Sequence, residues 1–170
     1  RSYIQDIASR LQKMQPKTMS LESKQLAYSK KVTDRFYEVL NSPKQFSVGR
    51  FDPKDPTVAT GMTGAPACGD VMKLDLKIDP DTDVIQDVRF KTYGCGSAIA
   101  SSTLFVELLK GKTITQAKEI KDRDIAEALE LPPIKLHCSV LAEDSIKQAI
   151  QNWKEKNETN NEKYSQTNEI

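Results

Sequence analysis

Between Met72 and Lys91 the side chains keep a two-residue rhythm that only a pleated strand can use. Met72, Leu74, Leu76 and Ile78 are apolar, while Lys73, Asp75, Lys77 and Asp79 are polar. Strict alternation of this kind marks a strand buried on one face. Asp79-Pro80-Asp81-Thr82-Asp83 supplies a turn, after which Val84, Val88 and Phe90 lie on one parity and Asp87, Arg89 and Lys91 on the other. The two runs predict a β-hairpin, and Gly61 to Gly64 just upstream is the candidate for a third strand.

The hairpin decides where the chemistry goes. Cys68 comes just before its first strand and Cys95 just after its second. Antiparallel pairing therefore brings both to the same end of the sheet. The third and last cysteine, Cys138, sits beside the only histidine, His137.

Helical spacing fills the remainder. Leu21, Leu26, Val32, Phe36, Val39 and Leu40 predict a long amphipathic helix over 21–40 that ends before Pro43. Ser42 to Pro56, with three prolines and a glycine, reads as irregular. Ser97 opens a helix to about Lys110, with Gly111 as its stop. A short helix spans Asp122 to Glu130, with Asp122 or Asp124 as cap, and Pro132-Pro133 end it. The last helix starts near His137 and Cys138 and carries Leu141, Ala142, Ile146, Ala149, Ile150 and Trp153 on its apolar face. A helix start favours the thiolate of Cys138 over the thiol. Lys154 to Ile170, rich in Asn, Glu and Lys, reads as a solvated tail. The chain divides into an N-terminal basic amphipathic extension (1–20), one domain (21–153) and a polar tail (154–170).

With 25 basic and 24 acidic residues the charge is balanced, which argues against nucleic acid and anionic membrane as partners. No apolar run approaches the roughly 20 residues of a membrane span. Three cysteines cannot all pair, which points to a reducing compartment. The chain opens on Arg1, as a processed form would. Ile4, Ile7, Leu11 and Met14 among Arg1, Arg10, Lys13 and Lys17 form a basic amphipathic pattern. That pattern suits either the remnant of an organelle-targeting segment or an ordinary docked surface helix.

Cys68, Cys95 and Cys138, with His137 or Asp70 as a fourth group, form a candidate ligand set. Thiolates select zinc, copper(I) or iron-sulfur clusters, and three thiolates with His or Asp would satisfy tetrahedral zinc. None of the cysteines has the close Cys-x-x-Cys spacing of a zinc knuckle. Single ligands on glycine-flanked loops suit a site that fills and empties, and Asp70, a hard oxygen donor among thiolates, would make a cluster labile. The plain alternatives are a buried small cysteine, a packing histidine and a turn-forming aspartate.

Three blocks, Gly64-Ala65-Pro66-Ala67-Cys68-Gly69-Asp70-Val71-Met72-Lys73, Phe90 to Ser102 around Gly94-Cys95-Gly96, and Leu131 to Asp144, resemble the U-type iron-sulfur cluster assembly scaffold family, IscU. The resemblance covers roughly 28–153. It implies an α+β fold, a small antiparallel three-stranded sheet with helices packed on one face. It implies a transient 2Fe-2S cluster built from iron on Cys68, Cys95 and Cys138, with His137 and Asp70 exchangeable, zinc as an occupant of the cluster-free form, and Cys138 as the persulfide acceptor. Lys135 is expected to support the site. The implied partners are a cysteine desulfurase complex, frataxin, a ferredoxin, apo acceptor proteins and a heat-shock ATPase chaperone with its J-type co-chaperone. The chaperone would grip Leu131, Pro132, Pro133, Ile134 and Lys135 in extended form, and the co-chaperone would touch Met62, Val71 and Tyr93. The expected location is the mitochondrial matrix.

Asp34 to Gly49 departs from the family: it is longer and lacks the histidine and the Pro-Arg-Asn turn of the segment that docks desulfurase and frataxin. Two rivals follow. One is a zinc- or cluster-bearing structural subunit of a larger mitochondrial assembly. The other is a thiol redox or sulfur-transfer enzyme using Cys138, whereas the scaffold reading is not enzymatic.

Overall fold

The computed structural model describes the backbone over 28–65 and 69–167 and side chains as far as 158. The N-terminal extension 1–20, the first part of the predicted helix over 21–40, and Cys68 lie outside the described residues. What is described of that helix is α1, Lys30–Asn41, which begins one residue after Ser29. The Ser29 hydroxyl accepts the Val32 N–H at 3.2 Å and so sets its start.

The sheet has the order β1 (Val58–Ala65), β2 (Asp70–Ile78), β3 (Ile85–Tyr93), all antiparallel. Its apolar parity is as expected on β2, where Met72, Leu74, Leu76 and Ile78 are wholly buried. On β3 one expectation fails. Val84 is only half-buried, and Ile85 takes the core position against Ile78. The cause is a bulge: Lys77 pairs with Asp87 but Ile78 with Ile85, so one extra residue on β3 flips the parity of what precedes it.

Helices cover the face that carries Met72 and Leu74. The two packed mainly against the strands are α2 (Gly96–Leu109) and α5 (His137–Thr167); between them in sequence come α3 (Ile114–Ala117) and α4 (Asp122–Ala128), the latter packed on α2 and α5. Phe105, Val106 and Leu109 of α2 and Ile146, Ala149, Ile150 and Trp153 of α5 complete the core. The cap of α4 is Lys121 rather than Asp122 or Asp124; the Asp124 carboxylate reaches back to accept the Lys121 N–H at 2.9 Å. The helix also continues past Trp153 to Thr167, so the polar tail is helical over most of its length. A helix already nucleated by a packed stretch propagates at low cost.

Both sheet edges are closed. On the β3 side, Ser47 to Gly49 run beside Phe90, with Gly49 N–H donating to Phe90 C=O at 2.9 Å and Phe90 N–H to Ser47 C=O at 3.1 Å. On the β1 side the closure is made by side chains of α5. Gln148 accepts the Met62 N–H at 3.3 Å, Asn152 accepts the Thr60 N–H at 3.1 Å, and Lys156 donates to the Val58 C=O at 2.6 Å. Four residues of helix advance about 6 Å and two of strand about 6.6 Å, so these steps keep register along the edge.

The outer face of the sheet is tied to the irregular connection by a buried charge. Asp75 is fully buried, accepting from Arg50 Nε and Nη2, from the Phe51 N–H at 3.2 Å and from the Thr60 hydroxyl at 2.8 Å.

Candidate metal centre

The hairpin delivers the first two donors. Asp70 opens β2 and is 2 % exposed. Cys95 follows β3 after the single residue Gly94 and occupies the cap position of α2, where its thiol makes no capping hydrogen bond and stays available. The Val71–Tyr93 pairing brings the two ends together, and the Cys95 N–H donates to Asp70 Oδ1 at 3.1 Å. The third donor comes from the other side of the core. Cys138, in the first turn of α5 and 1 % exposed, puts Sγ 3.8 Å from Cys95 Sγ and 3.7 Å from Asp70 Oδ2. Cys95 Sγ stands 3.9 Å from the same oxygen.

These separations suit a metal. Two sulfurs each about 2.3 Å from a tetrahedral ion lie about 3.8 Å apart, and a sulfur–oxygen pair lies somewhat closer. Asp70, Cys95 and Cys138 are the described group whose ligand atoms all fall within 4.8 Å of one another. His137 stands just outside that trio. Its Nε2 approaches Asp70 Oδ2 at 3.4 Å but makes no hydrogen bond, although the atom itself is buried. Its buried nitrogen faces the carboxylate, but His137 does not come within 4.8 Å of every ligand atom of the trio.

Cys138 corrects the expectation of a thiolate. Burial, then the neighbouring Cys95 and Asp70, push its thiol well above the ordinary range. The helix start is real, but its partial charge is outweighed by desolvation and by two groups that would share the negative charge. The same crowding is what a cation between the three would relieve. For Lys135, burial pulls the ammonium down, but Cys95, Tyr28, Cys138 and Asp70 pull it up more strongly, and its pKa is raised. Its Nζ lies 5.8 Å over the Tyr28 ring.

The segment before α5 is not extended throughout. Pro132 is extended, but Pro133–Lys135 forms one 3₁₀ turn closed by the Lys135 N–H to Pro132 C=O bond at 2.8 Å. Proline at the first position of a turn loses no hydrogen bond there, so the doublet excludes an α-helix without forcing extension. Leu131 is buried, while Ile134 is 78 % exposed. Met62 and Tyr93 are exposed and Val71 half-buried; the register puts all three on the outer face of the sheet.

Sequence reasoning missed the part played by Gly94. It read this residue as a loop glycine, but a Cβ there would lie 2.7 Å from Asp70 Cγ and nearer still to Oδ1. The glycines on both sides of Cys95 were the available signal. Gly96 makes no such demand: a Cβ there would meet the Phe36 ring at 3.6 Å, an ordinary contact.

A small α+β domain that gathers one carboxylate and two thiols at a single sheet end defines a metal-handling class. The chain belongs to the NifU-like N terminal domain family, whose sequence model matches residues 27–160. It is 57% identical over 133 residues to the iron-sulfur cluster assembly scaffold protein IscU of Escherichia coli K12, spanning 78% of this chain and 98% of that protein. The IscU of Rickettsia prowazekii is 55% identical over 133 residues, 78% of this chain and 96% of that protein. Among solved structures, an iron-sulfur cluster assembly scaffold protein for the SUF system from Fervidobacterium islandicum superposes with a TM-score of 0.57 at 22% identity. It covers 74% of this chain and 97% of that one, and supports the fold alone.

Proposed function

We propose that this chain is a scaffold on which an iron-sulfur cluster is assembled and from which it is passed to acceptor proteins. The observation that carries the reading is the trio Asp70, Cys95 and Cys138, brought within 4.8 Å from three separate elements. Cys68, by its place beside Asp70 in sequence, and His137 complete the donor set. The cluster is cargo, and a mixed donor set serves release: a carboxylate oxygen holds iron less tightly than a thiolate would.

The finer steps are as follows. Cys138 receives sulfur from a cysteine desulfurase: a cation held between Asp70, Cys95 and Cys138 offsets the crowding that keeps the thiol protonated, and its proton passes to solvent. The resulting thiolate attacks the outer sulfur of the donor's persulfide, a new S–S bond forms, and the donor's cysteine leaves as a thiolate. Iron enters between Asp70 and the sulfurs, and a 2Fe-2S cluster closes when electrons, from a ferredoxin, reduce the persulfide sulfur to sulfide. Zinc fits the same donors in the cluster-free form. The exposed Ile134 on the 3₁₀ turn offers a chaperone an apolar hold one element away from Cys138.

Anaerobic reconstitution with iron, cysteine and a catalytic amount of desulfurase tests this. The expected result is a desulfurase-dependent 2Fe-2S absorption and Mössbauer spectrum that transfers to an apo-ferredoxin and persists longer in Asp70→Ala. Tightly held zinc with no cluster, or a cluster that never leaves, would refute it.

A further inference from the structure

We propose that Gly94 is a positioning residue, the seat that sets how the Asp70 carboxylate is turned, with one oxygen on the Cys95 amide and the other toward the thiols. Asp70 Oδ1 is taken by the Cys95 N–H at 3.1 Å, while Oδ2 is the oxygen from which the distances to Cys138 Sγ (3.7 Å), Cys95 Sγ (3.9 Å) and His137 Nε2 (3.4 Å) are all measured. The carboxylate can lie that way because residue 94 has no side chain. A Cβ at this position would fall 2.7 Å from Asp70 Cγ, 3.1 Å from Asp70 Cβ and closer to Oδ1 than either. All three are atoms of one buried side chain with no slack: Asp70 begins a strand paired with Ala65, which fixes its backbone.

Chemically, the seat divides the carboxylate. One oxygen is spent on a backbone amide, which holds the group in place whether or not metal is present. The other is presented as a one-oxygen donor, which binds a soft-set metal weakly and exchanges readily. A chelating carboxylate would need both oxygens and would lose the amide bond. The metal half of this inference rests on the scaffold reading; the seat itself does not.

The test is a double-mutant cycle on the metal-free protein joined to two spectroscopic readouts. Gly94→Ala should shift the unfolding equilibrium by about 10- to 100-fold in the otherwise native chain, the usual range for overpacking, and by far less in an Asp70→Gly background where the space is open. The Cys95 amide should lose its hydrogen-bonded NMR shift and exchange at least about tenfold faster. With cobalt(II) as the probe, the absorption bands of Gly94→Ala should coincide with those of Asp70→Ala. If Gly94→Ala does not fold alone, folding restored by Asp70→Gly supports the seat. An equal cost in both backgrounds, an unaltered Cys95 amide, a cobalt spectrum identical to wild type, or failure of Asp70→Gly to restore folding would overturn it. A coupled cycle in a chain that assembles no cluster would keep the seat and refute the scaffold reading.

Discussion

Gly61→Ala tests the contact on which the site's second half depends. A Cβ at Gly61 would lie 2.7 Å from Ala149 N and nearer still to Ser145 C=O, both backbone atoms of α5. Ordinary contact needs about 3.4 Å or more, so the helix axis must retreat from β1 by a sizeable fraction of an ångström. No rotamer change relieves the clash, because the atoms belong to main chain. Overpacking typically costs about 1–3 kcal/mol, and this clash belongs at or above the upper end. Against a total of about 5–15 kcal/mol, that lowers the midpoint of thermal unfolding by roughly 6–12 °C. Gly64→Ala is the control on the same strand. Its Cβ would meet nothing closer than Asp70 C=O at 3.7 Å, and removing a glycine from a strand gains about 0.4–1 kcal/mol. The assay is urea and thermal unfolding of the metal-free protein, with the Cys138 environment followed by NMR. Equal stability of Gly61→Ala and wild type, or a loss in Gly64→Ala as large as in Gly61→Ala, would refute the close-approach argument.

Other parts of the structure yield further outcomes. Arg50→Ala leaves the Asp75 carboxylate buried without its cation and should cost about 3–5 kcal/mol in urea unfolding, while Lys30→Ala, at an exposed pair with Asp34, should leave the midpoint unchanged. Asn152→Ala uncovers the Thr60 amide; hydrogen exchange there should accelerate and stability should fall by about 1 kcal/mol. Glu143 accepts the Asp122 N–H at 2.8 Å. Burial raises its pKa, but that bond and Lys147 and Lys121 lower it more, so the net shift is downward. A lowered carboxyl stabilises above its unfolded pKa and loses that contribution as pH falls through the folded one. The gap between wild type and Glu143→Gln should therefore be present at neutral pH and close on acidification below the usual carboxylate range.

The sheet was legible because β2 carries its pattern on every residue. Hairpin geometry placed Cys68 and Cys95 at one sheet end; Cys68 lies outside the described residues, and the partner the structure sets against Cys95 is Asp70, two residues further on. What was not legible had causes that act at a distance. The bulge that exchanges Val84 for Ile85 depends on how β3 lies against β2, and no local signal distinguishes the two residues. The state of Cys138 turned on burial and on Asp70 and Cys95, groups 68 and 43 residues away, against which the local helix start counted for little. The 3₁₀ turn at Pro133–Lys135 shows the limit of reading a proline pair as an extended segment: proline forbids one helix position and tolerates another. Gly94 and Gly61 look alike in sequence to any other glycine, and their meaning lies in which atom approaches them.

The site is thus assembled from two pieces of structure. Asp70 and Cys95 belong to the hairpin and are locked by strand register and by the Cys95 amide. His137 and Cys138 belong to α5, and α5 is held by its passage over Gly61 and by the side chains that close the β1 edge. Distances of 3.4 to 3.8 Å across that seam are therefore set by packing several turns away from the thiols. A substitution along the α5–β1 contact moves two donors relative to the other two without touching any of them. Its effect on cluster retention should track its effect on the stability of that contact, and a destabilising change of equal size at Arg50, on the outer face of the sheet, should leave retention in the folded protein unaltered.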